Sequence, residues 1–336
     1  MARRTSITLD EIADLDNLAA AFWRAARGKR HRPEVRTFAD RLDAELARLR
    51  REILDLTMAL GRFHTFEIRD PKVRTIHAPW FRERVLHHAM MAKIGPALER
   101  SLVDDTFACR RGKGPLAAVR RAQRHARRFP WYLKIDVESY FASIDHGVAK
   151  GQLRRRVKGR GALALCDRVI AAYHAAPGRG LPIGALTSQH LANLYLSDLD
   201  RFLLEELRLG GMVRYMDDVV AWDREKAALR SALPAIEDFL RRRLCLRLKS
   251  GWQLQQSRRG LSLCGFRVFP DALRLSRRRR RRYALARRRW ETAHALGLID
   301  DRTLQAGYAS AVAITAGAEA AGWRRQELRR RPPAEV

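Results

Sequence analysis

The chain has 336 residues, of which 46% are hydrophobic, and it carries a formal net charge of +30. This composition excludes a disordered chain and provides enough apolar side chains for a sizeable core in two or three linked subdomains. The positive charge predicts a polyanionic partner, because Lys and Arg that neutralise phosphates release counterions. The alternative explanation is an arginine-rich product of a GC-rich gene.

The sequence shows no sign of membrane insertion, export or disulfide bonding. No apolar run reaches the roughly 18 to 20 residues that a spanning helix needs, and the N-terminus lacks the apolar core of a signal peptide. The cysteines stand far apart, without the pair spacing of zinc ligands or a histidine at ligand distance. We therefore expect a cytoplasmic protein with no membrane partner and with buried thiols at Cys109, Cys166, Cys245 and Cys264.

The N-terminal part of the chain is predicted to be helical. Residues 10–27 show helical patterning, and from Phe38 apolar residues recur every three or four positions until a helix end near Gly61. Short β-type runs then lie on either side of Asp70 and Pro71, which together are a turn signal. This stretch predicts a basic hairpin.

The middle of the chain alternates helices with one short buried strand. A helix is predicted from Trp80 to Leu98, and an arginine-rich helix precedes the apolar run at 131–137, which is short enough to be a buried strand. The predicted strand ends at the carboxylate of Asp136. Helical patterns then occupy about 146–176 and 185–208.

The last third begins with an acidic hairpin. The segment MVRYMDDVVAW places Asp217 and Asp218 between short apolar runs, so they are predicted to lie at the turn. A helix to about Leu244 follows, and then two strands are predicted to be joined by a turn at 258–260. From Ser276 onward only helices are predicted. The whole order describes an α+β core with helical appendages.

Three carboxylates in this pattern suggest a metal site. Nucleotidyl transfer uses two divalent cations about 4 Å apart, and Mg²⁺ prefers hard oxygen ligands. Asp136 ends a strand, and Asp217 and Asp218 would join it if the two strands are neighbours. Paired aspartates in a turn are more often plain turn residues. Here apolar flanks bury them, and they would repel each other without cations. The sequence predicts two Mg²⁺ ions, with Mn²⁺ as a substitute.

Several segments, in the order of a known family, resemble the motifs of reverse transcriptases. The resemblance runs from about residue 15 to 270 and implies a right-hand polymerase, with fingers, a palm in which an antiparallel sheet packs on helices, and a helical thumb. The segments are RDPKVRTIHAPWFRERVLHHAM, DTFACRRGKGPLAAV, YLKIDVESYFASIDH, GLPIGALTSQHLANLYLSDLD, RYMDDVV, LRLKS and LSLCGFRVF.

The resemblance also implies a division of the chain. Residues 1–130 would form the N-terminal helices and fingers, 131–270 the palm, and 271–336 the thumb. Within the palm, 146–190 would hold a fingers insertion and the nucleotide-contacting loop, and 252–270 the primer-grip hairpin. The implied substrates are a template RNA, the RNA/DNA hybrid and deoxynucleoside triphosphates.

Individual catalytic roles follow from the same resemblance. Asp136, Asp217 and Asp218 would hold the metals together with the backbone at Val137. Lys249 would act near the leaving pyrophosphate, where a cation offsets developing charge.

Nucleotide contacts are implied for three further residues. Lys72 and Arg74 match positions that grip the triphosphate, although a general contact with the RNA backbone is the alternative. Phe141 falls five residues after Asp136, where an aromatic ring blocks a 2′-hydroxyl, and simple core packing is its alternative.

Two basic segments are expected to contact nucleic acid. One is a glycine-containing loop, and the other is an arginine run where a thumb helix should begin. A solvated charge run is the usual interpretation of the second, but so many cations on one helix would repel one another without an anion. The residues are Arg110, Arg111, Lys113, Arg277, Arg278, Arg279 and Arg280.

The loop at residues 183–189 indicates which subfamily of reverse transcriptases the chain resembles. Retroviral and intron-type members resemble Q-G-x-x-x-S-P there, whereas this chain has Ile183 for Gln and Gln189 for Pro, with Gly184 between them. The pattern resembles the reverse transcriptases of diversity-generating retroelements. It implies error-prone copying at template adenines (mutagenic retrohoming) and a pentameric accessory variability determinant as partner. The alternatives are an antiviral-defence or intron-derived reverse transcriptase, and a non-catalytic RNA-binding scaffold.

Overall fold

The first part of the chain folds into helices around an apolar core. The computed structural model describes residues 4–69 and 73–333. Its first elements are β1 (Thr5–Ser6), α1 (Leu9–Ala13), α2 (Leu15–Ala26), α3 (Pro33–Ala39) and α4 (Leu42–Leu54). Asp14 separates α1 from α2, because its carboxylate accepts a hydrogen bond from the Asn17 amide and caps the second helix. The predicted helical stretch 10–27 is therefore two helices.

A hairpin and a long helix complete this N-terminal part. They are β2 (Phe63–Arg69), β3 (Val73–Pro79) and α5 (Phe81–Ser101). The strands pair antiparallel along their full length, as the sequence predicted, and the predicted turn at Asp70 and Pro71 lies outside the described residues. The second predicted helix was placed wrongly: it is divided between α3 and α4 and ends at Leu54, before Leu56 takes a left-handed backbone with φ of 55°.

The centre of the molecule is an antiparallel sheet with helices around it. In chain order the elements are α6 (Pro115–Arg128), β4 (Trp131–Ile135), α7 (Tyr140–Ser143), α8 (His146–Arg154), β5 (Val157–Lys158), α9 (Arg160–Ala171), α10 (Leu186–Tyr195), α11 (Ser197–Arg201), β6 (Gly211–Tyr215), β7 (Asp218–Asp223), α12 (Lys226–Leu244) and β8 (Gln253–Gln256). The sheet order is β6-β7-β4-β8. The predicted helical pattern at 146–176 is interrupted by β5, which pairs parallel with β1.

Both faces of the central sheet are buried, in two different cores. Leu133 and Ile135 of β4 point into the core formed with α10 and α12. Tyr132, on the opposite face of the same strand, lies in a second core with α6 and Trp222 of β7. The alternation of side chains along a strand therefore fixes which residues reach each layer.

The C-terminal part is a small sheet followed by helices. The elements are β9 (Leu261–Leu263), β10 (Phe266–Val268), β11 (Leu273–Leu275), α13 (Arg277–Ala295), α14 (Asp301–Ala313) and α15 (Ala321–Arg330). The predicted pairing of β8 with the next strand is wrong, because β8 joins the central sheet and β9 pairs with β10. Cys264 and Gly265, both with positive φ, make the tight turn between β9 and β10. Among the described helices, none is long and apolar enough to cross a membrane.

A buried histidine links α5 to α10. His87 is 2% exposed, with its Nε2 3.6 Å from Oε1 of Glu83 and its Nδ1 3.5 Å from Oγ1 of Thr187. Burial, with a smaller effect of the positive charges of His88 and Arg84, lowers the pKa of His87 to about 3. The imidazole is therefore neutral in the folded protein.

This burial predicts a pH-dependent stability. Because the pKa of His87 in the folded state lies below its usual 6.5, its contribution is fully present above about pH 6.5 and is lost as the pH falls. We expect the wild type to lose up to about 1.4 kcal/mol per pH unit relative to His87→Leu between pH 6.5 and 4.5. Urea unfolding at several pH values measures this difference.

The neighbouring carboxyl provides a companion test of opposite sign. Burial raises the pKa of Glu83 from 4.5 to about 7, so its contribution is present below about pH 4.5 and is lost as the pH rises to 7. Relative to Glu83→Gln, the wild type should therefore lose stability with rising pH. Parallel pH profiles of the wild type and both variants would contradict this account of the pair.

Candidate active site

Three aspartates that are distant in the sequence lie at one end of the central sheet. Ile135, the last residue of β4, pairs with Val219 in β7. Asp136 and Asp218 are the next residues at the same end of this ladder, where neighbouring strands lie about 5 Å apart. Asp217 lies in the two-residue turn that joins β6 to β7. The structure thus brings together the three carboxylates singled out in the sequence.

Two lysines contact these carboxylates directly. Nζ of Lys249 lies 2.5 Å from Oδ2 of Asp136, and the backbone N–H of Lys249 donates to the carbonyl of Asp136. Nζ of Lys134 lies 2.8 Å from Oδ1 of Asp218. The hydrogen bond and charge of Asp136 raise the pKa of Lys249, and the charges of Asp217 and Asp218 add to this effect. One ammonium group therefore responds to all three carboxylates.

Asp217 lies in an electrostatically unfavourable position. Burial raises the pKa of Asp217, and the negative charges of Asp136 and Asp218 raise it further. A backbone hydrogen bond and the positive charge of Arg74 act in the opposite direction. The turn therefore holds a carboxylate that a nearby cation would stabilise.

The donor chemistry of this cluster suits divalent cations. Carboxylate oxygens are the ligands that Mg²⁺ prefers, and its charge would offset their mutual repulsion. Within residues 4–69 and 73–333, no three acidic, histidine or cysteine side chains are already arranged as a complete ligand set. Lys249 and Lys134 hold two of the carboxylates instead. Val137 has a buried side chain and pairs with Leu248.

The β2–β3 hairpin reaches the same end of the sheet. Arg74 of β3 is exposed and acts electrostatically on Asp217. Further along β3, the amide of His77 donates a 2.7 Å hydrogen bond to the carbonyl of Ile183. The hairpin and the loop before α10 are thus tied together beside the aspartates. Lys72, predicted to act with Arg74, lies outside the described residues.

Phe141 and Gln189 flank this loop on different sides. The carbonyl of Phe141, in α7, accepts a hydrogen bond from the amide of Leu181 at 2.8 Å, and its partly buried ring meets the ring of Tyr140 edge-on. Gln189 is exposed on α10, and its Oε1 accepts a hydrogen bond from Sγ of Cys109 at 3.5 Å. Phe141 therefore packs against Tyr140 and the loop before α10, while Gln189 faces the loop that precedes α6.

The segment that holds these features matches a known family. Residues 69–250, more than half of the chain, match the model described as reverse transcriptase (RNA-dependent DNA polymerase). The match includes β3, the strands β4, β6 and β7, and all three aspartates. The chain belongs to the reverse transcriptase family.

Curated relatives of this reverse transcriptase include intron-encoded proteins. The protein YkfC of Escherichia coli is 26% identical over 188 residues, which cover 51% of this chain and 48% of YkfC. The group II intron-encoded protein LtrA of Lactococcus lactis is 25% identical over 141 residues, which cover 40% of this chain and 23% of LtrA. The chain thus spans less than half the length of each of these relatives.

Solved telomerase structures show a weaker likeness. The apo telomerase of Candida tropicalis aligns with a TM-score of 0.49 and 10% identity, covering 64% of this chain and 48% of that one. The Candida albicans telomerase in complex with a fragment of telomeric RNA aligns with a TM-score of 0.48 and 9% identity, covering 69% and 51%. Scores of this size do not establish a shared fold.

The predicted basic loop before α6 is partly committed to internal contacts. Arg110 donates through Nη1 to the carbonyls of Val103 and Thr106, and Lys113 binds the carboxylate of Asp104 at 2.7 Å. Arg111 is exposed. The loop therefore uses two of its three predicted phosphate contacts to hold its own shape.

Arginines at the start of α13 also make internal contacts. Ser276 caps α13, and Arg277 and Arg278 are exposed in its first turn. The guanidinium of Arg279 stacks 4.1 Å above the ring of Phe266, and that of Arg280 lies 5.4 Å from the ring of Trp323. Two of these cations therefore also pack α13 against its neighbours.

Sequence reasoning missed Lys134 as a member of the site. Besides its contact with Asp218, its Nζ donates to the carbonyl of Ser262 in β9 at 3.1 Å. The lysine thus joins the aspartate turn to the β9–β10 hairpin. Its position two residues before Asp136, on the same face of β4, was the signal that could have revealed it.

The docking of the loop on the hairpin gives a testable prediction at Gly184. Its φ is +122°, and a Cβ there would lie 2.8 Å from Cγ2 of Ile76 and 3.2 Å from the carbonyl oxygen of His77. We expect Gly184→Ala to destabilise the fold by about 1–3 kcal/mol and to speed hydrogen exchange at the His77 amide, which bonds to Ile183.

A suitable control is Gly178→Ala. Gly178 also has positive φ, at +68°, but no neighbouring atom lies within 4 Å of an added Cβ. This control should cost about 1 kcal/mol and leave exchange at His77 unchanged. Equal exchange rates at His77 in all three proteins would mean that the loop does not depend on this close approach.

Proposed function

We propose that this protein is an RNA-directed DNA polymerase that copies a template RNA into cDNA. The observation that carries the proposal is the meeting of Asp136, Asp217 and Asp218 at one end of the sheet, beside the hairpin that carries Arg74. Family membership supports the reaction class. RNA, RNA/DNA hybrid and deoxynucleoside triphosphates are the proposed substrates.

The three aspartates would hold two Mg²⁺ ions, with the backbone at Val137 as a further ligand. When bound, the ions supply charge that activates the primer 3′-hydroxyl and stabilises the departing pyrophosphate. Lys249 retains its proton, because the contact with Asp136 raises its pKa. From its position beside Asp136, the Lys249 ammonium would offset charge on the phosphates. Arg74 would meet the triphosphate from the hairpin side.

The fold supports a right-hand arrangement. The β2–β3 hairpin and N-terminal helices would act as fingers, the central sheet with α10 and α12 as palm, and α13 to α15 as thumb. The exposed arginines at the start of α13 support nucleic-acid binding there. Cations at the N-terminus of a helix oppose its dipole, so an anionic partner would relieve their cost.

The role of the aspartates gives a direct prediction. Asp217→Asn removes a proposed metal ligand while keeping the shape of the side chain. We expect primer extension on an RNA template with Mg²⁺ to fall by about 100- to 1,000-fold, the range found when one group that stabilises a transition state is lost. RNA binding, measured by fluorescence anisotropy, should stay within a factor of two of the wild type.

The control for this prediction is Asp238→Asn. Asp238 lies on α12 with a half-exposed side chain and pairs with Arg241 and Arg242, so its change should leave extension intact. Extension by Asp217→Asn at the wild-type rate would refute the site. Binding without extension by the wild type would instead favour an RNA-binding scaffold.

We also propose the diversity-generating subtype, with reduced fidelity at template adenines. The support is the sequence pattern of the loop, in which Ile183 and Gln189 replace the Gln and Pro of other members. A glutamine amide can hydrogen-bond and help to fix the nascent pair, whereas isoleucine offers no polar group to a partner. The proposed partner for this role is the pentameric accessory variability determinant.

Ile183→Gln tests the fidelity proposal. We expect misincorporation opposite template adenine to fall about tenfold, in line with a single hydrogen-bonding contact worth about 1.4 kcal/mol. Sequencing of cDNA made on an adenine-bearing RNA measures the error rate. Ile68→Gln, which makes the same replacement on β2 outside the loop, is the control. Unchanged errors in Ile183→Gln would reject the role of this residue.

A second candidate is an intron-derived enzyme. The similarity to the intron-encoded LtrA favours it, while the Ile183 and Gln189 pattern argues against it. A template and variable repeat pair near the gene, differing at adenines, would decide for the retroelement. The absence of such a repeat pair would favour an antiviral-defence or intron-derived enzyme over the retroelement.

A further inference from the structure

A fully buried ion pair lies directly behind the aspartate turn. Arg214 of β6 and Asp200 of α11 are both 0% exposed. Nε of Arg214 donates to Oδ1 of Asp200 and Nη2 donates to Oδ2, each at 2.7 Å. This is the bidentate geometry in which an arginine fork matches a carboxylate. Both residues lie in segments that the sequence analysis quoted, but it assigned neither of them a role.

The same guanidinium reaches the turn that carries Asp217. Nη1 of Arg214 donates to the carbonyl of Met216 at 3.1 Å and to Oδ1 of Asn193 at 3.2 Å. Nη2 also donates to the carbonyl of Asn193 at 2.9 Å. Oγ1 of Thr106 donates to Asp200 at 2.8 Å and completes the carboxylate's partners. Each member of the cluster therefore has a hydrogen-bond partner.

The hydrogen bond from Arg214 to Met216 lies at a strained backbone position. Met216 has φ of +56°, a left-handed conformation that is costly for a residue with a Cβ and persists only where the surroundings enforce it. Arg214 binds the carbonyl of this residue, immediately before Asp217. The direction of the peptide that leads into Asp217 is thus set from inside the protein.

The cluster also fixes the turn relative to other parts of the site. Asn193 lies on α10, one turn after Gln189, and its Nδ2 binds the carbonyl of Ala108 in the segment that leads to the basic loop. The amide of Arg214 donates to the carbonyl of Asp105, and its carbonyl accepts from the amide of Phe107. The side chain of Arg214 therefore connects the turn at 216–217 to α10, and its backbone pairs with the 105–107 segment.

Stability alone does not require an ion pair at this position. Buried ion pairs can often be replaced by apolar side chains of similar volume without loss of stability, because desolvation offsets their attraction. A lysine would not reproduce the contacts either, because it lacks the planar set of donors. The feature that an apolar replacement cannot supply is the N–H directed at Met216.

We infer that Arg214, held by Asp200, is a positioning residue that fixes the Met216 carbonyl and so orients Asp217 for polymerisation. The inference rests on the proposed function, because it concerns the geometry of the proposed metal-binding turn. Displacements of about 1 Å at a reacting centre can lower a rate by about 100-fold. Loss of the Met216 contact should therefore slow the chemical step of correctly folded molecules.

The experiment measures pre-steady-state primer extension by two variants on an RNA template with Mg²⁺. Arg214→Lys keeps the charge and loses the fork. The triple variant Arg214→Met, Asp200→Leu, Thr106→Val replaces three polar members by apolar ones and protects folding. In both we expect the burst rate to fall about 10- to 100-fold, while the burst amplitude follows the folded fraction measured by circular dichroism.

Metal binding provides a readout that does not depend on activity. Titration with Mn²⁺, followed by EPR of the free ion, should show weaker binding in Arg214→Lys than in the wild type, with Asp217→Asn as the reference for a lost ligand. Arg82→Met is the matched control for instability. Arg82 pairs with Glu45 and Glu52 in the N-terminal core, so its loss should lower the burst amplitude and leave the burst rate unchanged.

The outcomes separate this inference from the proposed function. If Asp217→Asn abolishes extension but the folded triple variant keeps the wild-type burst rate and Mn²⁺ affinity, the positioning role is wrong and the site stands. A burst rate lowered equally in Arg82→Met would assign the effect to general instability and also overturn the role. If Asp217→Asn extends primers normally, the proposed site itself is refuted.

Discussion

The antiparallel ladder between β4 and β7 is the constraint on which the site depends. It pairs Ile135 with Val219 and therefore sets Asp136 and Asp218 side by side at its end. A slip of one residue would turn every side chain of β4 to the opposite face. Such a slip is opposed on both sides, because Leu133 faces one core and Tyr132 the other. Burial of both faces thus fixes the register, and the register places the carboxylates.

Charge in this protein has two separate uses. The net charge of +30 suggests that the surface binds phosphates. Several arginines, however, contact groups inside the protein. Arg214 and Arg287 are fully buried, Arg110 bonds to backbone carbonyls, and Arg279 stacks on Phe266. Arginine suits both uses, because its fork binds carbonyls and carboxylates and its flat face stacks on rings. Total charge therefore overstates the number of cations directed at a ligand.

The sequence predicted the helices and strands that a short run of residues determines. It did not predict features that depend on contacts between distant parts of the chain. The β2–β3 hairpin, β4, the aspartate turn and α12 follow from periodicity and flanking apolar residues, and the structure confirms these elements. The break at Asp14 was missed because a capping carboxylate looks like any surface acid within a helical pattern. The pairing of β8 was predicted wrongly because a strand's partner depends on the register of the whole sheet.

The same limit applies to the site. Asp136, Asp217 and Asp218 could be chosen from their flanks, since carboxylates between apolar runs are unusual. Asp200 could not be chosen in that way, because its role comes from the contact with Arg214, which forms only in the folded chain. Lys134 had one sequence signal, its spacing to Asp136, but its contact with Asp218 also forms only in the folded chain. Arg110 shows the reverse error, in which a basic loop residue that looked free is engaged within the loop.

The aspartate turn concentrates several unfavourable features in one place. Asp217 is partly buried beside two other carboxylates, Met216 has a left-handed backbone, and the Arg214 and Asp200 charges are removed from water. Each of these features lowers the stability of the fold. The rest of the central sheet, by contrast, shows ordinary strand pairing and apolar packing. Local conflict within an otherwise consistent fold is characteristic of functional sites. The two cores that enclose the sheet supply the apolar burial that offsets these costs, so the turn can keep a geometry that its own residues would not adopt.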